Sequence, residues 1–201
     1  MFVSTYNNNG LNDTLMILFE KSNSDVQEFK KVDDLVEIKN KETNRVVGYN
    51  LFNASKVINN LENGSVVLSG EDIVYLNDTI KKAHFTKEIE PNDGPSFVVG
   101  FVKSCEPVEG SDHLNVTQTE IDKGKVLQIV CGADNIKANE KVVVAKVGAV
   151  MPDGMIIWPG ELKGVASAGM ICSKKELGLP QAAKGIMILD ESYETGAEFQ
   201  I

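Results

Sequence analysis

Between Ser96 and Pro159 the sequence carries five short apolar stretches in quick succession: SFVVGFVKSC (96–105), LNVTQTEI (114–121), KVLQIVC (125–131), KVVVAKV (141–147) and GMIIWP (154–159). Runs of this length, rich in valine, isoleucine and threonine, read as strands. The polar triplets DKG (122–124) and PDG (152–154) have hairpin-turn chemistry and separate some of them. About five short strands with one short helix leave a small closed or partly closed barrel as the expected architecture.

The first block is different in character. TLMILFE (14–20), LVEIKN (35–40) and RVVGYNLF (45–52) read as strands, with KETN (41–44) as a turn. Two helices are expected after them. ASKVINNL (54–61) follows Asn53 as an N-cap, and EDIVYLNDTIKKAHF (71–85) spaces Ile73, Leu76 and Ile80 along one face. TKEIEPNDGPS (86–96) holds two prolines and Gly94 and reads as a linker. The expected organisation is an α+β N-terminal domain (1–88), a linker (89–96), and an all-β OB-fold domain, a five-stranded barrel, with a C-terminal extension (97–201).

Function classes narrow by exclusion. A formal net charge of −9 argues against broad nonspecific binding to nucleic acid or anionic membrane, though not against a local basic groove. The N-terminal MFVSTYNNNG has neither a basic nor an apolar signal region, and no apolar run approaches a membrane span. Three widely spaced cysteines, Cys105, Cys131 and Cys172, suit reduced thiols, so a cytoplasmic location is expected. The two histidines, His84 and His113, lie in different blocks, and no metal-ligand spacing or phosphate-loop pattern occurs. Each cysteine reads as a buried small thiol. Asp112 and His113 are neighbours on a loop and are expected to point apart. No catalytic residue, metal ligand or cofactor is expected.

The stretch KGVASAGMICSKKELGLP (163–180) is the chain's most pointed local signal. Gly164, Ala166, Ala168 and Gly169 carry little bulk, so a backbone or a nucleotide can approach closely. Ser173 stands three residues before Glu176, the spacing of a capping box, and Gly178 then Pro180 supply the stop of a helix barely longer than a turn. Lys174 and Lys175 fall in its first turn, where cations oppose the dipole. Free backbone N–H groups and two ammonium groups at one helix start suit a phosphate. Two solvated surface lysines are the alternative.

VVGFV (98–102), SDHLNV (111–116), LQIVCGADNI (127–136), VGAVMPDGMII (147–157) and LKGVASAGMICSKKELGL (162–179) resemble the tRNA-binding OB domain of bacterial phenylalanyl-tRNA synthetase β-chains. With VVGYNLFNAS (46–55), the whole chain is similar to the YtpR family of tRNA-binding proteins. The resemblance implies RNA contact by Ser167, Gly169 and Met170, with Asn135, Lys163 and Ser173 on the same face. Lys163 is expected to project outward from a barrel strand. Lys174 and Lys175 join this set as the phosphate site, and Lys146 and Lys103 are added on charge alone. Met170 and Phe101 each face either RNA or core. Phe101, His113 and Glu106 depart from the family's usual lysine or histidine, removing positive charge, so recognition of tRNA shape and unstacked bases is expected over electrostatic capture. The expected function is non-catalytic tRNA binding. A dimeric protein-interaction or chaperone-like module, or an accessory factor presenting tRNA to a synthetase, are the alternatives. A homodimer, a protein partner through the N-terminal domain and no membrane complete the expected partners.

Overall fold

Six antiparallel strands make the first half of the chain: β1 (Val3–Asn7), β2 (Thr14–Leu18), β3 (Gln27–Val32), β4 (Leu35–Asn40), β5 (Val46–Phe52) and β6 (Gly64–Ser65), in spatial order β3-β4-β5-β2-β1-β6. The computed structural model describes residues 1–201, and this first unit takes in Met1–Asp93. Side chains alternate between the faces of a strand. Tyr6, Leu15, Ile17, Leu35, Tyr49 and Leu51 share one face, and helix α1 (Gly70–Lys82) buries Ile73, Leu76 and Ile80 in the same core. Ser69 caps α1 reciprocally: its hydroxyl accepts from Asp72 N–H while the Asp72 carboxylate accepts from Ser69 N–H at 2.8 Å.

The unit expected as α+β is therefore β-rich, with one α-helix. The helix expected over 54–61 is a single 3-10 turn, Ala54–Lys56. Asn53 has φ 52°, in the left-handed region, and its side chain caps nothing in the turn, whereas an N-cap needs extended backbone. The Ser55 N–H instead donates to Asp13 Oδ1 at 2.8 Å. Strands β1 and β3 went unforeseen; β3, QEFKKV, is exposed almost throughout and lacks the apolar alternation that marks a strand. The stretch expected as a linker, 89–96, begins inside this unit. Ile89 is buried with both its backbone groups bonded to the Asn77 amide, and the Asn92 side chain bonds both backbone groups of Phe2.

The second unit, Gly94–Ile201, contains β7 (Phe97–Pro107), β8 (Asn115–Asp122), β9 (Lys125–Cys131), β10 (Lys141–Lys146), β11 (Gly160–Leu162), β12 (Val165–Ser167), β13 (Gly169–Ile171) and β14 (Ile188–Leu189). Five of them form an antiparallel ladder in the order β13-β10-β7-β8-β9, β14 adds to β10, and β11 pairs with β12 as a separate hairpin. The ladder does not close on itself, which corrects the expected five-stranded barrel to an open one. The stretch expected as a strand over 154–159 folds back on residues 148–151 through the bridge Val150–Ile156 and backbone bonds of Met155 and Ile157, without joining the ladder, and β13 takes the place of fifth strand.

Strand β10 lies between β7 on one side and β13 with β14 on the other, and is buried on both faces. Val142 and Val144 join Val98, Val102, Ile129 and Ile171 in one cluster, while Val143 and Ala145 join Val99, Met151, Ile157 and Leu177 in another. Hence its sequence, KVVVAK, is an unbroken apolar run rather than an alternating one. Gly100 on β7 is required by crowding, since a Cβ there would meet Val144 Cγ2 at 2.6 Å and Thr119 Cγ2 at 2.8 Å.

In the first unit, Asp13 ties three segments together: its carboxylate accepts from Ser55 N–H, Ser55 Oγ (2.8 Å) and Tyr6 OH (2.9 Å). Burial works against its charge, but the hydrogen bonds from Ser55 and Tyr6, helped by Lys56, outweigh it and hold the carboxyl below its usual range. A carboxyl depressed on folding adds stability that is complete above its unfolded-state pKa and is lost as pH falls through its folded-state value. Asp13→Asn is expected to lower the unfolding free energy at neutral pH by on the order of 1 kcal/mol. In urea titrations the gap from the parent should narrow as the pH falls through the carboxylate range.

Candidate nucleic-acid interface

The two free edges of the open ladder, β9 and β13, are joined by a short polar seam rather than by strand pairing. Ser167 is buried; its Oγ accepts from Val130 N–H at 3.1 Å and donates to Gly169 O at 3.3 Å. Beside it, Ala168 N–H donates to Gln128 O at 2.8 Å, and Gln128 Nε2 donates to Ala166 O at 2.8 Å. Gly169 makes the corner at φ 152°, where a Cβ would lie 3.0 Å from Ala145 O and 3.3 Å from Ile129 Cδ1. The small residues at 164–169 thus admit the chain's own backbone, the first of the two approaches their size allows.

Directly beyond the seam, three segments enclose a groove of about 740 Å³. The turn after β9 contributes Gly132, Asp134 and Asn135; β13 and the turn after it contribute Met170, Ser173 and Lys175; the loop before β14 contributes Gln181 and Lys184. Asn135 fastens the first segment to the third: its Nδ2 donates to Ile186 O at 3.0 Å and its Oδ1 accepts from Ile186 N–H at 2.9 Å. Gly185 makes room for it, as a Cβ there would fall 2.4 Å from Asn135 Oδ1. Gln181 fastens the second to the third, with Oε1 accepting from Lys175 N–H at 2.7 Å and Nε2 donating to Gly185 O at 3.0 Å.

The capping box forms as its spacing requires. The Glu176 carboxylate accepts from Ser173 N–H and Oγ, both at 2.6 Å, and Glu176 N–H donates to Ser173 Oγ at 3.2 Å. The segment 174–178 is nevertheless a turn, not a helix. Gly178, at φ 71°, ends it, with Leu179 N–H donating to Lys174 O at 2.8 Å. The backbone N–H groups of Ser173, Lys175 and Glu176 are all taken by the protein's own side chains. Three of the backbone amides expected to receive a phosphate are therefore already engaged. What remains at the groove is side-chain charge: Lys175 and Lys184 are both exposed on its lining, with Lys174 exposed on the same turn.

The other expected residues scatter. Lys163 is not on a strand but at the tip of the β11–β12 hairpin, a two-residue turn with φ 51° at Lys163 and 78° at Gly164. Lys103 sits at a bulge of β7, ion-paired with Glu120 at 3.4 Å. Lys146 pairs through its backbone with Gly169 and is half-buried. Met170 lies opposite Ala145 in the ladder, packs on the cluster around Val143 and also lines the groove, so it serves core and groove at once. Phe101 is half-buried on β7 and is not among the groove's lining residues. Gln181, Lys184 and Gly185 were missed; QAAKG, a lysine among small residues just after the Pro180 stop, was their only sequence trace.

Burial pushes the Cys172 thiol up to about 12 and raises Cys131 and Cys105 as well, so none is held as the nucleophilic thiolate. Asp112 and His113, expected to point apart, meet at 2.6 Å; the bond holds the Asp112 carboxyl below its usual range, and both side chains are exposed. No helix is long and apolar enough to cross a membrane.

Residues 97–198 match the family described as "Putative tRNA binding domain", and residues 22–92 match one described as a domain of unknown function. The "Putative tRNA-binding protein YtpR" of Bacillus subtilis (strain 168) is 43% identical over 197 residues, covering 97% of this chain and 98% of that protein. This chain belongs to the YtpR family. A further relative, the phenylalanine–tRNA ligase beta subunit of Nitratidesulfovibrio vulgaris, is 48% identical over 100 residues, which is half of this chain but only 12% of that subunit. The YtpR relative spans both units.

Within this YtpR-family chain the seam and the groove are separable by mutation. Ser167→Ala leaves the buried Val130 N–H without its partner, at a cost of about 1–3 kcal/mol. A lowered urea midpoint is expected, with any RNA affinity of the folded variant unchanged. A variant of unaltered stability that had lost RNA binding would reassign Ser167 from seam to ligand.

Proposed function

We propose that this chain binds tRNA without catalysing a reaction on it, in the cytoplasm, and that the groove beside the seam is where the RNA backbone is held. The open ladder with its flanking hairpin is read as an OB-type barrel whose partly open side carries this groove. The observation that carries the reading is the pair Lys175 and Lys184, brought to one groove from separate segments and exposed there. Neither takes part in any ion pair of the protein, whereas Lys103 and Lys141 are each engaged by a glutamate. Ammonium groups without a carboxylate partner are available to phosphate oxygens. Met170 and Leu179 give the groove an apolar wall on which a ribose or an unstacked base can rest. Asn135, Ser173 and Gln181 act through the shape they impose, because their polar atoms are spent within the protein. The family's tRNA-binding relatives support tRNA as the ligand, and the raised thiols support a role without covalent chemistry.

Fluorescence titration of labelled bulk tRNA over a salt series tests this. With Lys175→Ala/Lys184→Ala the affinity at low salt is expected to fall roughly tenfold. The slope of log K against log salt should flatten by about 1.4 to 1.8, the loss of two phosphate contacts. The reading fails if the parent protein ignores tRNA at low salt, or if the double variant keeps both affinity and slope.

A further inference from the structure

Strand β3 ends the first unit's sheet, and its sequence QEFKKV is an unusual edge. Residues 27–31 are all exposed, and Phe29 is 78% exposed. Edge strands usually carry charge to repel further strands. Here Lys30 and Lys31 would serve that end, but Glu28 stands two residues before Lys30 on the same face. That arrangement turns a repelling edge into one complementary to its own copy.

The free backbone groups of β3 can be assigned from the hairpin that carries it. Val32 and Leu35 close the two-residue turn between β3 and β4, with Asp33 at φ 51°. The closing pair of such a turn exchanges hydrogen bonds, and bonded and non-bonded pairs then alternate along the ladder. Residues 32, 30 and 28 thus bond inward to β4. Lys41 N–H donating to Val26 O at 2.8 Å continues that alternation to residue 26. The N–H and C=O groups of Gln27, Phe29 and Lys31 therefore point outward, away from the sheet.

We propose that β3 is a self-recognition edge, through which a second copy of this chain pairs antiparallel about a two-fold axis at Phe29. Only outward-facing residues can exchange hydrogen bonds with the partner. About this axis Phe29 meets Phe29 of the other copy, and Gln27 meets Lys31 twice. The intervening non-bonded pair sets Glu28 against Lys30, again twice, where opposite charges stand closest. One face of the new junction carries the paired phenylalanines and the other carries two opposite-charge pairs. The two-fold repeats every contact, as an isologous interface requires. Five residues a side is a small interface, so the dimer belongs to the weak, reversible class.

Sedimentation equilibrium of the full chain, from micromolar to millimolar protein, tests the pairing. The parent should show a concentration-dependent monomer–dimer equilibrium. Lys30→Glu sets Glu28 against a glutamate twice and should raise the dissociation constant about tenfold or more. Glu28→Lys/Lys30→Glu exchanges the two charges, keeps the complementarity, and should restore the parent's constant. Thermal melts of all three keep folding defects apart from dimer defects. A parent that stays monomeric throughout, a dimer indifferent to Lys30→Glu, or a double variant that fails to recover would each overturn the proposal. The outcome is independent of tRNA binding.

Discussion

The hydroxyl of Ser167, with the Ala168 N–H and the Gln128 amide beside it, stands where the two edges of the C-terminal ladder meet. By accepting from Val130 N–H and donating to Gly169 O, it joins β9 to the β12–β13 corner without a strand ladder. The corner is passable only because Gly169 has no side chain to press on Ala145 and Ile129. With the corner fixed, β13 runs beside β10, Met170 is set over the core, and the turn from Ser173 begins at the groove's rim. A buried amide left without that hydroxyl would carry the full desolvation penalty, so the seam is a requirement of the fold and not an ornament of the site.

The groove follows a related logic. Three segments, the first remote in sequence from the other two, are fastened by side-chain amides that mimic backbone pairing: Asn135 to Ile186, and Gln181 to both Lys175 and Gly185. These bonds consume polar groups that might otherwise have met a ligand. What they produce is position, because Lys175 and Lys184 arrive at one place on anchored loops. The acidic character of the chain as a whole leaves this pairing of cations local.

Much of the fold was legible in local chemistry. The DKG and PDG turns, the capping box of Ser173 and Glu176, the continuous apolar run of β10 and the amphipathic spacing of α1 are all decided by near neighbours, and all occur. The failures share one cause. Asn53 looked like an N-cap, but its left-handed backbone and the capture of Ser55 by Asp13, distant in sequence, left only a 3-10 turn. PDG made its turn, yet the residues after it folded back on 148–151 and did not join the ladder. Strand β3 has no apolar alternation because, at the sheet's edge, no core demands it.

The sequence by itself determined the DKG and PDG turns, the buried run of β10, the capping box of Ser173 and the family to which the chain belongs, since each rests on residues within a few positions of one another or on pattern along the chain. Tertiary structure alone decided which small residues serve the fold and which lysines meet. Ser167 and Gly169 were spent on closing the ladder's edges, and the Ser173 turn satisfied its own amides. Lys184 joined Lys175 only through Gln181 and Asn135. Hydrogen bonds between distant segments are chosen by three-dimensional proximity, which no local pattern encodes.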